Sequence, residues 1–318
     1  MNTYLVTGGA GFVGSHLCDA LLARGDRVIG VDNFNDYYDP ARKRRNVAAA
    51  LDHPQFTLVE ADIRDDAAID SIVTTHRPVK IAHLAAMASV SYSVRNPKIY
   101  QDVNIHGTLN ILDAARRNDC QGVVVASTSS IYGRTDKIPF VETDPTDLPL
   151  APYPASKKAC EVLAAAYFNS YGLPSTCVRF FNVYGPRGRP DMTPYMFTDA
   201  IANGRPITLY DGGRPRRDWT YVSDIVAGVV AALDADLGYE IINLGRGEPV
   251  MMRDFVTIIE ELVNHEAQIR PAQLPVSEPA VTFADVSKAR QLLSYNPQVS
   301  VAEGLARLWE WYQQEVRS

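Results

Sequence analysis

Two side chains that can carry acid–base chemistry stand four residues apart near the middle of the chain. Tyr153 and Lys157 fall in the run Tyr153-Pro-Ala-Ser-Lys157, and this spacing places both on one face of a helix. A free phenol has a pKa of about 10, which is too high for an effective base at neutral pH. The positive charge of Lys157 would favour the phenolate and lower that pKa. The pair therefore predicts a base that removes a hydroxyl proton while a hydride leaves the same carbon.

A cluster of hydroxyl side chains follows the apolar run Val123-Val-Val-Ala126, and it consists of Ser127, Thr128, Ser129 and Ser130. We expect the apolar run to be a central strand, and the carboxyl end of such a strand is where parallel sheets place their active sites. Thr128 or a neighbouring serine would hold the reacting oxygen while Tyr153 takes its proton. For Ser127 a role in capping the loop is an equally good interpretation.

The first residues of the chain predict a site for the hydride acceptor. An apolar strand runs into Gly8, Gly11 and Gly14 and then into a helix. In this arrangement Gly8 takes the tight turn, Gly11 admits a pyrophosphate to the backbone N–H groups, and Gly14 lets the helix pack against the sheet. The second strand ends in Asp32, where an acid would bind an adenosine 2′-hydroxyl and repel a 2′-phosphate. The sequence therefore predicts a dinucleotide-binding fold that prefers NAD to NADP.

Strand and helix patterns alternate along the first two-thirds of the chain. Strands are predicted at 3–7, 27–31, 56–60, 79–84, 121–127 and 174–181, with helical patterns near 11–24, 65–75, 98–118 and 154–171. This alternation predicts an α/β fold with a doubly wound parallel (Rossmann) sheet. We expect an NAD-binding domain and a smaller C-terminal substrate domain with a ligand cleft between them. The first would comprise 1–181 plus 221–246, and the second 182–220 plus 247–318.

Composition excludes several other classes of protein. The 318 residues are 46% apolar with a formal charge of −6, which disfavours nucleic acid or an anionic membrane as the main partner. We expect a cytoplasmic location with no targeting segment, because a strand pattern begins the chain and the four cysteines lack Cys-x-x-Cys spacing. No histidine spacing suits a metal, so no metal is expected. The basic run at 42–45 is interpreted as a solvated helix face.

Over essentially its whole length the chain resembles the extended short-chain dehydrogenase/reductase enzymes that modify nucleotide sugars. The matching segments are the glycine loop, Asp32, Asp62-Ile63, His83-Leu-Ala-Ala86, Asn104, the Thr128 cluster, Tyr153/Lys157 and Arg179-Phe-Phe-Asn-Val-Tyr-Gly-Pro186. The resemblance implies that Asp62 and Ile63 contact the adenine, that Asn104 supports the active site, and that Thr128 is the catalytic hydroxyl. The cofactor residues it implies are Gly8, Gly11, Phe12, Val13, Gly14, Asp32, Asn33, Asp62, Ile63, Leu84, Ala85, Ala86, Met87, Asn104, Ser127, Tyr153, Lys157 and Phe180.

Three longer segments resemble one branch of this family, the UDP-glucuronate 4-epimerases. They are Asp32-Asn-Phe-Asn-Asp-Tyr-Tyr-Asp-Pro40, Gly188-Arg-Pro-Asp-Met192 and Arg216-Arg-Asp-Trp-Thr-Tyr221. The resemblance implies reversible C4 epimerisation of UDP-glucuronate to UDP-galacturonate through a 4-keto sugar, with transient reduction of bound NAD. It places Arg189 near the sugar carboxylate and Arg217 on the diphosphate, with Asn182 beside both. The full set of implied substrate residues is Thr128, Asn182, Arg189, Met192, Tyr210, Arg217 and Glu278.

Other reactions on the same scaffold stay open. Asn182 stands where this branch usually carries Thr, Ser91 where a basic residue is usual, and Glu278 in place of an Asp beside the nucleotide. These departures leave UDP-glucose 4-epimerase and UDP-glucuronate decarboxylase as alternatives. A 4,6-dehydratase is disfavoured because Ser129-Ser130 replaces the usual Asp-Glu pair, and a non-catalytic sensor because Tyr153 and Lys157 are both present. The resemblance also implies a homodimer formed through the helices at 98–118 and 154–171.

Overall fold

A parallel sheet of seven strands forms the middle layer of the molecule. The computed structural model describes residues 1–315, and their strands are β1 (Thr3–Thr7), β2 (Arg27–Asp32), β3 (Phe56–Glu60), β4 (Lys80–His83), β5 (Val123–Thr128), β6 (Ser175–Phe180), β7 (Asn182–Tyr184), β8 (Ile207–Tyr210), β9 (Arg216–Arg217), β10 (Trp219–Tyr221), β11 (Tyr239–Leu244), β12 (Val250–Met251) and β13 (Ile269–Ala272). The central sheet has the order β11-β6-β5-β4-β1-β2-β3. The predicted doubly wound parallel sheet is thereby confirmed.

Helices cover both faces of this sheet. They are α1 (Phe12–Ala23), α2 (Pro40–Asn46), α3 (Ala48–Leu51), α4 (Asp66–His76), α5 (Val90–Arg95), α6 (Pro97–Tyr100), α7 (Gly107–Arg117), α8 (Pro152–Tyr171), α9 (Thr193–Ala202), α10 (Val222–Asp234), α11 (Met252–Val263), α12 (Ser287–Leu293) and α13 (Val301–Glu315). Side chains alternate along each strand, so Leu5 joins a core with α4, α7 and α8 while Val6 joins a core with α1 and α10. Both sheet faces are therefore dry, as the apolar strands require.

Smaller sheets build the rest of the molecule beyond residue 182. β7 pairs with β10, β8 with β13, and β9 with β12, while α11 packs against both α9 and α13. The division into two domains stays a prediction, and residues 316–318 of its second part lie outside the described residues. All four cysteines are free and buried. None of the helices in residues 1–315 has the length and apolar character needed to cross a membrane.

The prediction of one continuous helix at 98–118 is wrong. The structure divides it into α6, a π-helical turn at Gln101–His106 and α7. The π turn places the buried side chain of Asn104 against the backbone of Met87, where its amide bonds both the N–H (2.8 Å) and the carbonyl (3.0 Å). Local π geometry is frequent at functional sites, and apolar periodicity does not reveal it.

The direction of the chain changes beside β1, and this change creates the cleft. From β1 the chain continues to β2 and β3 on one side, whereas β4, β5 and β6 lie on the other. Gly8 has a φ of +69°, and a Cβ there would lie 2.9 Å from the backbone nitrogen of Ala85 in the loop after β4. The loops after β1 and β4 therefore meet closely enough to require glycine. Ligands of such sheets bind at this point.

A buried ion pair joins α8 to the central sheet. Arg179 of β6 donates from Nε and Nη2 to the two carboxylate oxygens of Glu161 in α8, both at 2.9 Å, and each side chain is 1% exposed. The same carboxylate accepts the Ser127 hydroxyl at 2.7 Å, and Arg179 also donates to the Tyr132 hydroxyl at 2.9 Å. Buried charges need this many hydrogen-bond and ion-pair partners, because each charge loses its hydration when the chain folds.

Replacing one member of this pair should destabilise the fold strongly. Glu161→Gln leaves the buried guanidinium of Arg179 without its counter-charge, and we expect a loss of roughly 3 kcal/mol in the free energy of unfolding. Glu303→Gln is the matched control, since Glu303 pairs with Arg307 at the surface and should change stability by less than about 0.5 kcal/mol. Urea denaturation of both variants measures the difference. Equal stabilities would show that the buried pair is not important for stability.

Candidate active site

A single cleft of about 350 Å³ gathers most of the predicted site residues. All of the predicted catalytic and cofactor residues line it except Asp62 and Asn104. Asp62 lies just behind the lining, where it accepts a hydrogen bond from Asn33 at 2.9 Å and pairs with Arg64 at 2.7 Å. The hydrogen bonds from Arg64 hold the pKa of the Asp62 carboxyl well below its usual range.

The glycine loop forms one wall of the cleft at the start of α1. The Gly11 N–H closes the turn on the Gly8 carbonyl at 2.9 Å, and a Cβ at Gly14 would lie only 2.0 Å from the same oxygen. A side chain is thus excluded at Gly14, and the N-terminus of the 12-residue α1 opens into the cleft. Such a helix end, with bare backbone beside it, suits the two phosphates of a dinucleotide.

Asp32 lies at the end of β2 with its carboxylate buried. Its Oδ1 accepts from the Phe34 N–H at 2.9 Å and from Lys43 Nζ at 3.2 Å, and both Asp32 and Lys43 line the cleft. The interpretation of the basic run at 42–45 as a solvated face is therefore wrong for Lys43. Arg42 also points inward, donating to the Tyr195 hydroxyl at 3.0 Å. The basic residues of α2 therefore reach partners both at the end of β2 and in α9.

The fully buried His83 lies beneath the loop that follows β4. Its Nδ1 is 2.8 Å from the Thr7 hydroxyl and its Nε2 is 3.0 Å from the Thr108 hydroxyl. Burial, together with the nearby charge of Lys157, lowers the pKa of His83 to about 3. Thr7 in turn accepts the Ala85 N–H at 3.2 Å, so the histidine supports the cleft floor as a neutral ring.

Tyr153 and Lys157 lie on the first two turns of α8, opposite Thr128 at the end of β5. Burial raises the pKa of Tyr153, while a hydrogen bond with Thr128 and the charge of Arg189 act to lower it. The predicted effect of Lys157 on this pKa stays a prediction. The groups that stabilise the phenolate here are Thr128 and Arg189, which come from separate parts of the chain.

The predicted substrate residues divide into two groups. Thr128, Asn182, Arg189 and Met192 line the cleft, whereas Tyr210, Arg217 and Glu278 are not among its lining residues in the described part of the chain. Arg217 pairs with Glu278 at 3.3 Å, and Tyr210 is 38% exposed at the end of β8. The Asn182 side chain accepts from Thr282 at 2.9 Å, with no hydrogen bond to either predicted arginine within residues 1–315.

Sequence reasoning missed several residues of the cleft. Asn35, Tyr37, Tyr38 and Lys43 all line it, and all come from the segment that follows β2. The signal that could have found them is the repeated Asn and Asp in Asp32-Asn-Phe-Asn-Asp-Tyr-Tyr-Asp-Pro40, which predicts consecutive side-chain-closed turns. No group of metal-binding side chains occurs in residues 1–315.

The parallel sheet, the glycine loop and the tyrosine–lysine helix define an enzyme of the extended short-chain dehydrogenase/reductase class. Residues 5–308 match the family model described as GDP-mannose 4,6-dehydratase, and the chain belongs to that family. The resemblance seen in the sequence is thereby confirmed.

Relatives and solved structures narrow the class further. A UDP-glucuronate 4-epimerase of Thermodesulfobacterium geofontis is 41% identical over 99% of this chain and 98% of its own length. The structure of a UDP-glucuronic acid 4-epimerase from Bacillus cereus, in complex with UDP-glucuronic acid and NAD, is 32% identical. It has a TM-score of 0.93 and covers 98% of this chain and 99% of its own. A UDP-glucose 4-epimerase from Thermotoga maritima has a TM-score of 0.89 at 30% identity, over 98% and 99% of the two chains.

Removal of the Thr128 hydroxyl should make Tyr153 harder to ionise. Thr128→Ala deletes a hydrogen bond that favours the phenolate, so the pKa of Tyr153 should rise further above its usual value. Ultraviolet difference titration against the corresponding Tyr153→Phe protein isolates this one phenol. Thr135→Ala is the matched control. The hydroxyls of Thr128 and Thr135 each accept the backbone N–H two residues further on, but Thr135 belongs to another loop. An unchanged Tyr153 titration in Thr128→Ala would contradict the assignment.

Proposed function

We propose that this protein interconverts UDP-glucuronate and UDP-galacturonate by inverting carbon 4 of the sugar, with NAD as its resident cofactor. The observation that carries the proposal is the convergence of Tyr153, Thr128 and Arg189 on one cleft. A base from α8, a hydroxyl from β5 and a guanidinium from the loop after β7 meet there. One relative and one solved structure that match nearly the whole chain carry the same activity in their names.

The residues present in the cleft fit NAD. The glycine loop and the N-terminus of α1 would take the pyrophosphate, Asp32 the adenosine ribose, and Ile63 the adenine, with Leu84–Met87 beside the rest of the molecule. The glycines of this loop support the fit, since a Cβ at Gly14 would collide with the Gly8 carbonyl at 2.0 Å. Bound NAD supplies the acceptor that takes the C4 hydride and returns it to the opposite face of the sugar.

The protein's own groups manage the proton and the sugar. Tyr153 accepts the O4 proton as a phenolate, while Thr128 donates to or accepts from the reacting oxygen. The cationic Lys157 lies on the same helix face, one turn from Tyr153. When the 4-keto sugar has turned in the cleft, Tyr153 returns the proton to O4. Ser129 and Ser130, which also line the cleft, are proposed to hold the sugar hydroxyls.

Arg189 gives the proposal its specificity for an acid sugar. Oxidation at C4 turns a uronate into a β-keto acid, which loses carbon dioxide readily, so the enzyme must hold the carboxylate still. Arg189 lies in the cleft with only 18% of its side chain exposed, and its charge acts on Tyr153. A guanidinium pairs with a carboxylate through two parallel hydrogen bonds, which fixes orientation as well as position.

The remaining substrate contacts are proposed on the same basis. Asn182 and Met192 would contact the sugar, because both line the cleft. Arg217, Glu278 and Tyr210 would bind the distal nucleotide, where Arg217 would exchange its partner Glu278 for a phosphate. The domain boundaries predicted from the sequence belong to this proposal too, with the larger part holding the cofactor. The cytoplasmic location stays a prediction.

Proton NMR of the purified protein with UDP-glucuronate, without added NAD, tests the proposal. We expect UDP-galacturonate to appear, which would also show that the cofactor co-purifies. Tyr153→Phe should slow the conversion by roughly 10²- to 10⁴-fold, because the proton acceptor is lost. A decarboxylated pentose as the main product would identify a decarboxylase. Conversion of UDP-glucose alone would contradict the role assigned to Arg189.

We also propose that the protein is a homodimer joined through α7 and α8. These two helices pack side by side, and each presents a large apolar side chain to solvent, with Leu109 38% and Val162 56% exposed. The double variant Leu109→Glu/Val162→Glu should sediment as a monomer in analytical ultracentrifugation. Leu148→Glu, at an 85% exposed position elsewhere, is the control that should remain dimeric. A monomeric wild-type protein would contradict the proposal.

A further inference from the structure

The segment that follows Asp32 is held rigid by its own side chains. Asp32, Asn33 and Asn35 each accept the backbone N–H two residues further on, at 2.9, 3.1 and 3.3 Å respectively. Consecutive turns of this kind replace the pairing that a strand would give, so the backbone keeps one course without a sheet. The segment therefore runs from Asp32 to a fixed position for Tyr37.

Tyr37 lines the cleft and contacts the loop between β7 and α9. Its hydroxyl donates to Asp191 Oδ2 at 2.8 Å, and its ring packs edge-to-face on Tyr92 with centroids 5.0 Å apart. The guanidinium carbon of Arg189 lies 5.7 Å from the centroid of the Tyr37 ring. The Tyr37 side chain thus interacts with both members of the Arg189–Asp191 pair, through its hydroxyl with Asp191 and through its ring with Arg189.

Asp191 holds one edge of the Arg189 guanidinium. Nε donates to Asp191 Oδ1 at 2.9 Å and Nη2 to Oδ2 at 2.7 Å, while Nη1 donates to the Ala88 carbonyl at 2.7 Å. A guanidinium has about five N–H donors in a planar fork. Within the described residues, these bonds leave one N–H on each terminal nitrogen, and Arg189 lines the cleft. The guanidinium is therefore oriented before any ligand arrives.

We infer that Asp191 and Tyr37 are positioning residues that fix the plane of Arg189, and thereby the orientation of the sugar carboxylate during epimerisation. The inference rests on the proposed function. A pair that served only stability would need no third member from a distant segment of the chain. Here the third member, Tyr37, comes from the segment that begins at the predicted ribose-binding acid Asp32.

The orientation matters because decarboxylation of the keto sugar depends on it. In that side reaction the C5–C6 bond breaks, its electron pair forms an enolate with the C4 carbonyl, carbon dioxide leaves, and C5 later takes a proton. The breaking bond must overlap the carbonyl π system, so a carboxylate held with C5–C6 near the carbonyl plane resists the loss. Arg189 can hold the carboxylate in this orientation only if the plane of its guanidinium is fixed.

Asp191→Asn should therefore change product partition rather than weaken binding. The amide keeps one acceptor for Arg189 but loses the charge and the second strong acceptor, so the guanidinium can rotate. Because Arg189 is then less neutralised, it should attract the substrate carboxylate at least as well, and KM should not rise. Arg189→Ala should raise KM, since it removes the binding group itself. The different change of KM in the two variants therefore distinguishes a positioning residue from a binding residue.

The experiment uses UDP-glucuronate labelled in its carboxylate, with released carbon dioxide counted against UDP-galacturonate formed. This ratio is counted per turnover, so partial misfolding of a variant does not affect it. We expect it to rise about tenfold in Asp191→Asn and about threefold in Tyr37→Phe, which loses only the hydroxyl donor. Asp36→Asn is the matched control, an exposed carboxylate on the same segment, and should leave the ratio unchanged.

Each outcome decides the matter. A raised ratio with unraised KM in Asp191→Asn supports the inference. An unchanged ratio overturns it, and if KM also rises, Asp191 is a binding residue only. An unchanged Tyr37→Phe would remove Tyr37 from the inference, and an equal effect of Asp36→Asn would overturn the specific geometry. Wild-type protein that does not convert UDP-glucuronate would overturn the proposed function, and this inference with it.

Discussion

The buried pair between Glu161 and Arg179 is the interaction on which the active site most depends. One carboxylate joins three parts of the molecule: α8, which carries Tyr153 and Lys157; β6, which carries Arg179; and the end of β5, through the Ser127 hydroxyl. With the guanidinium and the carboxylate both 1% exposed, neither can relax towards water. The relative position of the tyrosine helix and the strand-end hydroxyls is therefore set by electrostatics inside the core. Apolar packing alone would permit small rotations of α8.

Two cationic side chains of the cleft, Lys157 and Arg189, differ in how deeply they are buried. Lys157 is almost fully buried and its charge acts on His83 below the floor, whereas Arg189 is 18% exposed and its charge acts on Tyr153. A reacting oxygen beside Tyr153 would lie in the positive field of Arg189, with Lys157 one turn away on the same helix. This arrangement favours a transient oxyanion, and preorganised charge of this kind needs no rearrangement during reaction.

Much of the fold could be predicted because its signals are local. Six strands of the central sheet follow from apolar runs, and the glycine loop follows from turn chemistry that only glycine satisfies. What could not be predicted depends on long-range packing. The π turn needs the backbone of Met87 opposite Asn104, the inward direction of Lys43 needs Asp32 beside it, and the pairing of Arg217 with Glu278 joins residues 61 positions apart. The pKa of Tyr153 likewise depends on Arg189, which the spacing of Tyr153 and Lys157 does not include.

The neutral histidine beneath the cleft floor gives the hydrogen bonds there a single direction. The Thr108 hydroxyl donates to the Cys160 sulfur at 3.2 Å, so it must accept from His83 Nε2–H, which assigns the Nε2–H tautomer. Nδ1 is then an acceptor for the Thr7 hydroxyl, whose oxygen accepts the Ala85 N–H. These hydrogen bonds all run in one direction, from the Ala85 N–H through Thr7, His83 and Thr108 to Cys160 in α8. Their dipoles therefore add rather than cancel. Because the pKa of His83 is lowered to about 3, the ring stays neutral and these hydrogen bonds keep their direction at neutral pH.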